Sequence, residues 1–411
     1  MVSEGRHLEA AAAPGSAGDV LHLIRTGVAQ TRADLAKHTG LAPSTVGLRV
    51  DALQRLGLVT EGGDASSTGG RRARVLRLEA SAGHVGAVAL GAHHVQLALT
   101  DLTGRRIASV EEPRTDLTQA PEAFAAEAWT HLQRMAAEAG VDPAGLLGLA
   151  VSVPAPIEHP GGRVVQPSFM PAWHGVSVPE LFAAHTSAPV FIENDANLLA
   201  YAELHGSGWA AGASPGTDGP EHLMAVKLGT RIGCGIVSAG RLHRGASGSA
   251  GEISHTGVTG PGVIPCTCGV PACLESVASG GALVADLRQR GYDVADATAV
   301  VRLGDAGDPV VVAQLRAAGR AIGSVLAAAA NFFNPSDVVL GGVMSSSAPL
   351  VAALRAEVFE RALPLTSGAL DVRTAVDGAD AGLRGACYLA LDEVLAPARV
   401  QARVAAAGQV A

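Results

Sequence analysis

What most constrains this chain is a set of short apolar runs, each broken by glycine, proline or a cluster of polar residues. They fall at residues 85–91, 95–100, 147–153, 190–192, 223–228 and 338–342. Runs of this length, bounded by turn residues, read as buried strands. Between them lie helical stretches such as 124–139, and Asp101-Leu102-Thr103-Gly104 supplies a hairpin turn. Strands alternating with helices build an α/β domain whose ligand loops lie at the ends of its strands. Those ends read Pro154-Ala155-Pro156, Glu193-Asn194-Asp195-Ala196-Asn197, Gly229-Thr230-Arg231-Ile232-Gly233 and Gly341-Gly342. With 48% apolar residues, 51 glycines and few aromatics, a large core would pack closely on small side chains. A length of 411 residues leaves room for about two or three domains.

The first 80 residues have a different texture. Val20, Leu21 and Ile24 place an apolar stripe on a first helix. Thr31-Arg32-Ala33-Asp34 reads as a capping box, in which a hydroxyl caps a second helix and the acid returns the bond. Leu35 and Ala36 face inward, and Gly40 ends this helix. Pro43 suits the first position of a third helix. Val46, Val50 and Leu53 share one face of it, and Gly57 stops it. Two strands, 58–61 and 75–78, enclose a loop containing Gly69-Gly70-Arg71-Arg72-Ala73-Arg74. This is the layout of a winged helix-turn-helix over residues 17–80, preceded by a flexible arm at 1–16. In that layout Ser44, Thr45, Leu48 and Arg49 enter the major groove of DNA. Arg71, Arg72 and Arg74 of the wing reach phosphates or a minor groove. The net charge of −8 is unevenly spread, since residues 1–80 hold 10 Lys and Arg against 8 Asp and Glu. The basic part is therefore N-terminal. The alternatives are a small helical subdomain with a solvated basic loop, or a protein-interaction module.

Cys266-Thr267-Cys268-Gly269-Val270-Pro271-Ala272-Cys273 has C-x-C-x4-C spacing, with His255 shortly upstream. Three thiolates and an imidazole complete the tetrahedral shell of a closed structural zinc site; buried or redox-active thiols are the alternative. Cys234 and Cys387 stand apart and read as inert core thiols. No secretory leader is legible. The longest apolar stretch, 321–333, is interrupted by Gly323 and Ser324 and is expected to be too short to span a bilayer. The expectation is a soluble cytoplasmic protein with no membrane partner.

With these motifs in view, residues 84–395 resemble the ROK family of repressors, open reading frames and sugar kinases, leaving 396–411 as a C-terminal tail. The most specific stretch is 229–275, with Arg244-Gly245 and Ala250-Gly251-Glu252 at the family's positions. Together with the winged helix, the chain is similar to the repressor branch that answers to sugars such as xylose, glucose or N-acetylglucosamine. The resemblance implies a two-lobed actin-like ATPase fold with a sugar in the cleft between the lobes. It implies operator DNA as a partner, and a homodimer or homotetramer would match two-fold operators. It also implies that Asn194, Asp195, Glu252, His255 and Glu275 contact sugar hydroxyls, and that His255, Cys266, Cys268 and Cys273 hold Zn2+. Asn194 and Asp195 directly follow a buried strand and would emerge at the cleft. One ring nitrogen of His255 would take the metal while the other points outward, so the metal fixes its tautomer. Ser254 stands where the family's Glu-x-Gly-His has Gly, which would tilt Glu252 or narrow the pocket, and Ala155 stands where its Pro-Gly-Pro has Gly, adding a methyl close to the sugar.

Phosphoryl transfer requires a base and neutralisation of phosphate charge. Asp195 fills the family's base position. The phosphate side departs from the family. Its Asp-x-Gly-x-Thr is here Ala89-Leu90-Gly91-Ala92-His93, with no carboxylate for a magnesium shell. Arg231 replaces a glycine where bare backbone would wrap the phosphates, although it could instead contact an anionic ligand. The expectation is a non-catalytic domain that senses a sugar or sugar phosphate. The alternative is a bifunctional ATP-dependent sugar kinase carrying its own DNA-binding domain.

Overall fold

The computed structural model describes residues 15–64, 74–92, 94–113, 120–165, 167, 170–206, 219–260, 262–266 and 268–409. The N-terminal unit contains α1 (Ala17–Arg25), α2 (Arg32–Thr39), α3 (Pro43–Arg55) and the antiparallel strands β1 (Val59–Asp64) and β2 (Arg74–Leu78). Helix α1 starts with a complete capping box between Ser16 and Asp19. At α2 the expected box takes another form. The Thr31 side chain accepts from the Asp34 amide, but Asp34 takes the Thr31 hydroxyl, 2.7 Å away. Gly40 ends α2 at φ 70°, a conformation that costs glycine little. Val20, Leu21, Ile24, Val46, Val50 and Leu53 are buried together, so the three helices share one core.

Two five-stranded sheets follow, one in each lobe. The first, ordered β5-β4-β3-β6-β9, is built from β3 (His84–Leu90), β4 (His94–Asp101), β5 (Arg106–Pro113), β6 (Leu146–Val153) and β9 (Val190–Asn194). Helix α4 (Pro121–Glu138) packs on it, and the short hairpin β7 (Ile157–Glu158) and β8 (Arg163–Val164) and helix α5 (Val178–Phe182) lie between β6 and β9. Helix α6 (Asp195–Leu204) leaves β9 directly. The second sheet, ordered β12-β11-β10-β13-β14, contains β10 (Leu223–Leu228), β11 (Ile232–Ser238), β12 (Arg241–Leu242), β13 (Asp337–Gly341) and β14 (Asp371–Thr374). Its helices are α7 (Leu274–Ala278), α8 (Gly280–Gln289), α9 (Ala297–Asp305), α10 (Pro309–Phe333), α11 (Ala348–Arg361) and α12 (Pro364–Ser367). In each sheet parallel pairs join an antiparallel hairpin, and the central strands β3, β6 and β13 are apolar on both faces over most of their length, as buried parallel strands must be.

Two expectations need correction. The stretch 321–333 belongs to a helix of 25 residues, long and apolar enough by composition to cross a membrane. It is nevertheless a core helix: Val311, Leu315, Ile322 and Leu326 are buried, and Gly319 and Gly323 bring it against the backbone of α11. Residues 396–411 were expected as a tail, but 397–409 of them form α14 (Pro397–Gln409), which docks on α1. Val400 is buried in the same core as α1, and Gln401 Oε1 accepts from the Ala17 amide at 3.0 Å. Pro at the helix start and a Val400/Val404 stripe explain why it folds there.

Helix α13 (Ala381–Val394) joins the N-terminal unit to the first lobe, contributing Leu383, Cys387, Leu391 and Val394 to their common core. It crosses α6 at Gly385, where a Cβ would collide with the Leu198 carbonyl. Gly385→Ala is therefore expected to cost about 1–3 kcal/mol through overpacking. A fall in the urea midpoint at unchanged m-value would report it; an unchanged midpoint would contradict this close approach.

Candidate functional site

A cavity of about 350 Å³ opens between the lobes. Asn194, Asp195, Glu252, His255 and Glu275 all line it, although they come from three separate stretches of chain. Asn194 is also the N-cap of α6: its Oδ1 accepts from the Ala196 and Asn197 amides at 2.9 and 3.3 Å. Its amide nitrogen donates to the Ala155 carbonyl, 3.0 Å away, which ties it to the Pro154–Pro156 turn. This is how a polar strand-to-helix junction satisfies the orphan amides of a first turn.

The acids are not equally available. Asp195 pairs with Lys227, which sequence reasoning missed. The only signal was scarcity, since Lys227 is one of just two lysines in the chain. Glu275 is almost fully buried; it takes Arg231 Nη1 at 3.0 Å and the Ile232 amide at 2.9 Å. Arg231 therefore folds back onto an acid of the cavity. The Ser254 hydroxyl donates to Glu252, so the serine in place of glycine holds this carboxylate.

Glu193 was also missed. It is inaccessible to solvent, yet its carboxylate takes the Asn194 amide at 2.9 Å, Asn197 Nδ2 at 2.9 Å and Arg244 Nε at 2.6 Å. Burial would raise its pKa, but hydrogen bonding to His159 and the Arg244 charge outweigh it and bring it to about 2. An acid ending a buried strand was the available signal. Because Arg244 follows β12, this ion pair fastens the second lobe to the strand that presents Asn194 and Asp195.

A second cavity, of about 450 Å³, adjoins the first and shares Pro154, Asp195, Lys227 and Arg231 with it. Ala89, Thr230 and Gly342 lie on its wall, whereas His93 lies outside the described residues. The turn at Gly229 is closed by its own amide on the Arg231 carbonyl, 3.1 Å away. The amides that open α8 are taken up by this turn, Gly280 by Gly229 and Gly281 by Thr230, at 2.9 and 3.0 Å.

His255, Cys266, Cys268 and Cys273 come together, with their candidate ligand atoms within 4.8 Å of one another. His255 Nδ1 lies 3.3 Å from Cys266 Sγ, so this nitrogen faces the thiols. Gly269, at φ 78°, turns the chain between the second and third cysteines. Burial would raise the Cys273 thiol, but hydrogen bonds from His255 and Ser276 bring it down to about 6, whereas Cys266 is pushed up to about 11, chiefly by burial. One low thiol, two further sulfurs and an imidazole form a donor set that could bind a metal. Cys234 and Cys387 are buried away from the cluster, and burial raises both thiols, Cys234 to about 12.

On α3, Ser44 and Leu48 are exposed and Thr45 and Arg49 half-buried; the Arg49 Nε is enclosed without a hydrogen-bond partner among the described residues. Arg32, unremarked in the sequence, braces this helix through Asp51 and the Gly47 carbonyl and reaches Glu61 of β1. Arg74 opens β2, exposed, 3.8 Å from Glu61. Arg71 and Arg72 lie outside the described residues.

Residues 85–393 match the ROK family. The chain is similar to the xylose repressor of Bacillus subtilis (strain 168), with 29% identity over 370 residues, covering 89% of this chain and 92% of that protein. It is also similar to the DNA-binding transcriptional dual regulator NagC of Escherichia coli (strain K12), with 28% identity over 370 residues, covering 84% and 86%. A crystal structure of a ROK family transcriptional regulator, a homolog of the E. coli MLC protein, superposes with a TM-score of 0.76 over 94% of this chain and 98% of its own. At 23% identity this is a likeness of fold, and its extent exceeds the 85–393 span.

Proposed function

The chain belongs to the ROK family, and from that footing we propose that it is a sugar-responsive, DNA-binding transcription regulator, a repressor released by its sugar. The observation that carries this reading is the presence in one chain of a polar cleft between two lobes and an N-terminal three-helix unit with a two-stranded hairpin docked on the first of them. Asn194, Asp195, Glu252, His255 and Glu275 offer acceptors and donors to sugar hydroxyls, and Lys227 joins them through Asp195. A sugar hydroxyl can then both donate to Asp195 and accept from Lys227. The relatives' names point to xylose and N-acetylglucosamine as sugars to try first.

Ser44, Thr45, Leu48 and Arg49 would meet operator bases, and Arg71, Arg72 and Arg74 its backbone. A two-fold operator calls for a homodimer or homotetramer, and such a regulator works in the cytoplasm. The domains are then an arm, a DNA-binding unit at 17–80 and an effector domain from 84 to 395, with α14 bracing the two. His255, Cys266, Cys268 and Cys273 would hold one structural zinc ion. The ion supplies a fixed anchor that leaves the second ring nitrogen of His255 for the cavity.

The domain is a sensor and not a kinase. Ala89 offers magnesium no carboxylate, and the base position, Asp195, is engaged by Lys227. Sugar is expected to weaken operator binding about 5- to 150-fold, the usual range of a coupling free energy. Asp195→Ala and Glu252→Ala should bind DNA normally and ignore sugar. Calorimetry of D-xylose and N-acetylglucosamine with and without a duplex from the chain's own upstream region checks this, beside an ADP-release assay. Equal sugar affinities with and without DNA, or steady ADP release, would count against the regulator.

A further inference from the structure

Helix α6 runs from the cleft to the end of α13, which meets the DNA-binding unit at Arg25. Its N-cap Asn194 and first residue Asp195 line the cavity. At its other end Tyr201 and the C-cap His205 both meet Asp392 of α13. His205 Nε2 lies 3.0 Å from Asp392 Oδ2, and the Tyr201 hydroxyl donates to the same oxygen. The other oxygen, Oδ1, pairs with the guanidinium of Arg25, the last residue of α1. A single carboxylate thus gives one oxygen to the helix that carries the cleft and the other to the helix that opens the DNA-binding unit.

We propose that Asp392 is a positioning residue that passes the occupancy of the cleft to the DNA-binding unit through Tyr201 and His205 on one side and Arg25 on the other. The inference rests on the reading of the chain as a sugar-controlled DNA-binding protein, and names the route of that control. Three features make the route stiff. Gly385 of α13 sits against the Leu198 carbonyl, so α6 cannot approach α13 further. Arg384 Nη1 donates to the Gly206 carbonyl, 2.7 Å away, just past the end of α6. Tyr201 meets His205 edge-on and His205 meets Tyr388 at a tilt, with ring centroids 4.8 Å apart in each pair.

In a close-packed interior a push at one end of such a helix becomes a displacement at the other. Burial would raise the Asp392 carboxyl, but His205 and Arg25 outweigh it and hold it well below the usual range, so the carboxylate stays charged. Beyond Arg25, α1 shares its core with α3 through Val20, Leu21 and Ile24 against Val46, Val50 and Leu53. A shift of α1 therefore moves the helix that would read DNA. Asp195 is the ligand-facing end of the same α6, and a sugar competing for its pairing with Lys227 is what would displace it.

The test uses the full chain in two arms. In hydrogen exchange without ligand, Arg25→Gln and Asp392→Asn are expected to raise exchange across Ala17–Arg25 roughly tenfold while β10 and β13 are unchanged. Unaltered exchange of α1 in both variants would overturn the relay, whatever the ligand is. In the second arm the probes are D-xylose, N-acetylglucosamine and the upstream duplex, with Tyr201→Phe, which removes one hydroxyl and keeps the edge-on ring contact with His205. It should bind sugar and DNA each within about twofold of the parent, while the effect of sugar on DNA affinity falls at least about threefold. A wild-type effect in Tyr201→Phe, Arg25→Gln and Asp392→Asn alike would overturn the proposal. If neither sugar alters DNA binding of the parent chain, the functional reading suffers, and the exchange arm alone decides whether α6 and α1 are mechanically joined.

Discussion

Glu203→Ala is expected to destabilise the folded chain by about 3 kcal/mol, the lower end of the cost of removing one partner from a buried ion pair, because each of its partner arginines keeps a second acid. Glu203 sits on α6 and is 2% exposed. Its Oε2 pairs with Arg373 Nη1 at 2.7 Å, and its Oε1 accepts from the Val376 amide at 3.1 Å. Arg384, wholly buried on α13, lies 4.0 Å from the same Oε1. Truncation would strip one acid from two arginines and leave a backbone amide unpaired. Arg373 keeps Asp337, and Arg384 keeps Asp377 and the Gly206 carbonyl, so the network is weakened and not abolished. Glu203→Gln should cost less, about 1–3 kcal/mol, because an amide can still accept from Val376 while the charge is lost. Urea unfolding of the two variants gives both numbers. A loss below about 1 kcal/mol for the alanine variant would mean that the arginines find other partners or water.

The position of this network explains why it was not legible. Glu203, Arg373 and Arg384 are far apart in sequence, and nothing local marks them as partners. The same is true of Glu193 and Arg244, 51 residues apart, and of Asp195 and Lys227, 32 apart. What could be read was local. Strands ended on glycine because ligand loops need bare backbone there, and Gly40 and Pro43 bounded helices by their dihedral preferences. The cysteine cluster was legible because its four candidate ligands lie within a short stretch. Asn194, Asp195, Glu252 and Glu275 were legible only through family resemblance, since a carboxylate at a strand end has many uses. The docking of α14 escaped notice because an Ala-rich helix with one valine stripe looks the same whether it is free or packed. The alternation of strands and helices was visible, while the charges that fasten the lobes were not, because such pairs are chosen by tertiary geometry.

Loss of one exposed thiol should have an effect out of proportion to its burial. Cys268 is exposed, so serine there disturbs little packing, and any large change must come through what the sulfur binds. If the four side chains hold zinc, Cys268→Ser should take the content from about one ion per chain to a small fraction of that. Binding of a structural ion is folding free energy, so the second lobe should lose several kcal/mol, seen as a lower and earlier thermal transition. Cys387→Ser is the matched control: that thiol is buried apart from the cluster and should leave the metal content unchanged. A strong chelator should reproduce the shift in the parent chain and add nothing to Cys268→Ser. The consequence reaches the cleft, because His255 offers Nδ1 to the thiols and also lines the cavity. Without the ion neither its tautomer nor its ring orientation is fixed. Sugar affinity should fall with metal content, even though Asn194, Asp195 and Glu252 are untouched. Full zinc occupancy in Cys268→Ser would show that the four-ligand shell is wrong, and a chelated parent chain that melts as before would show that the thiols are held by packing alone.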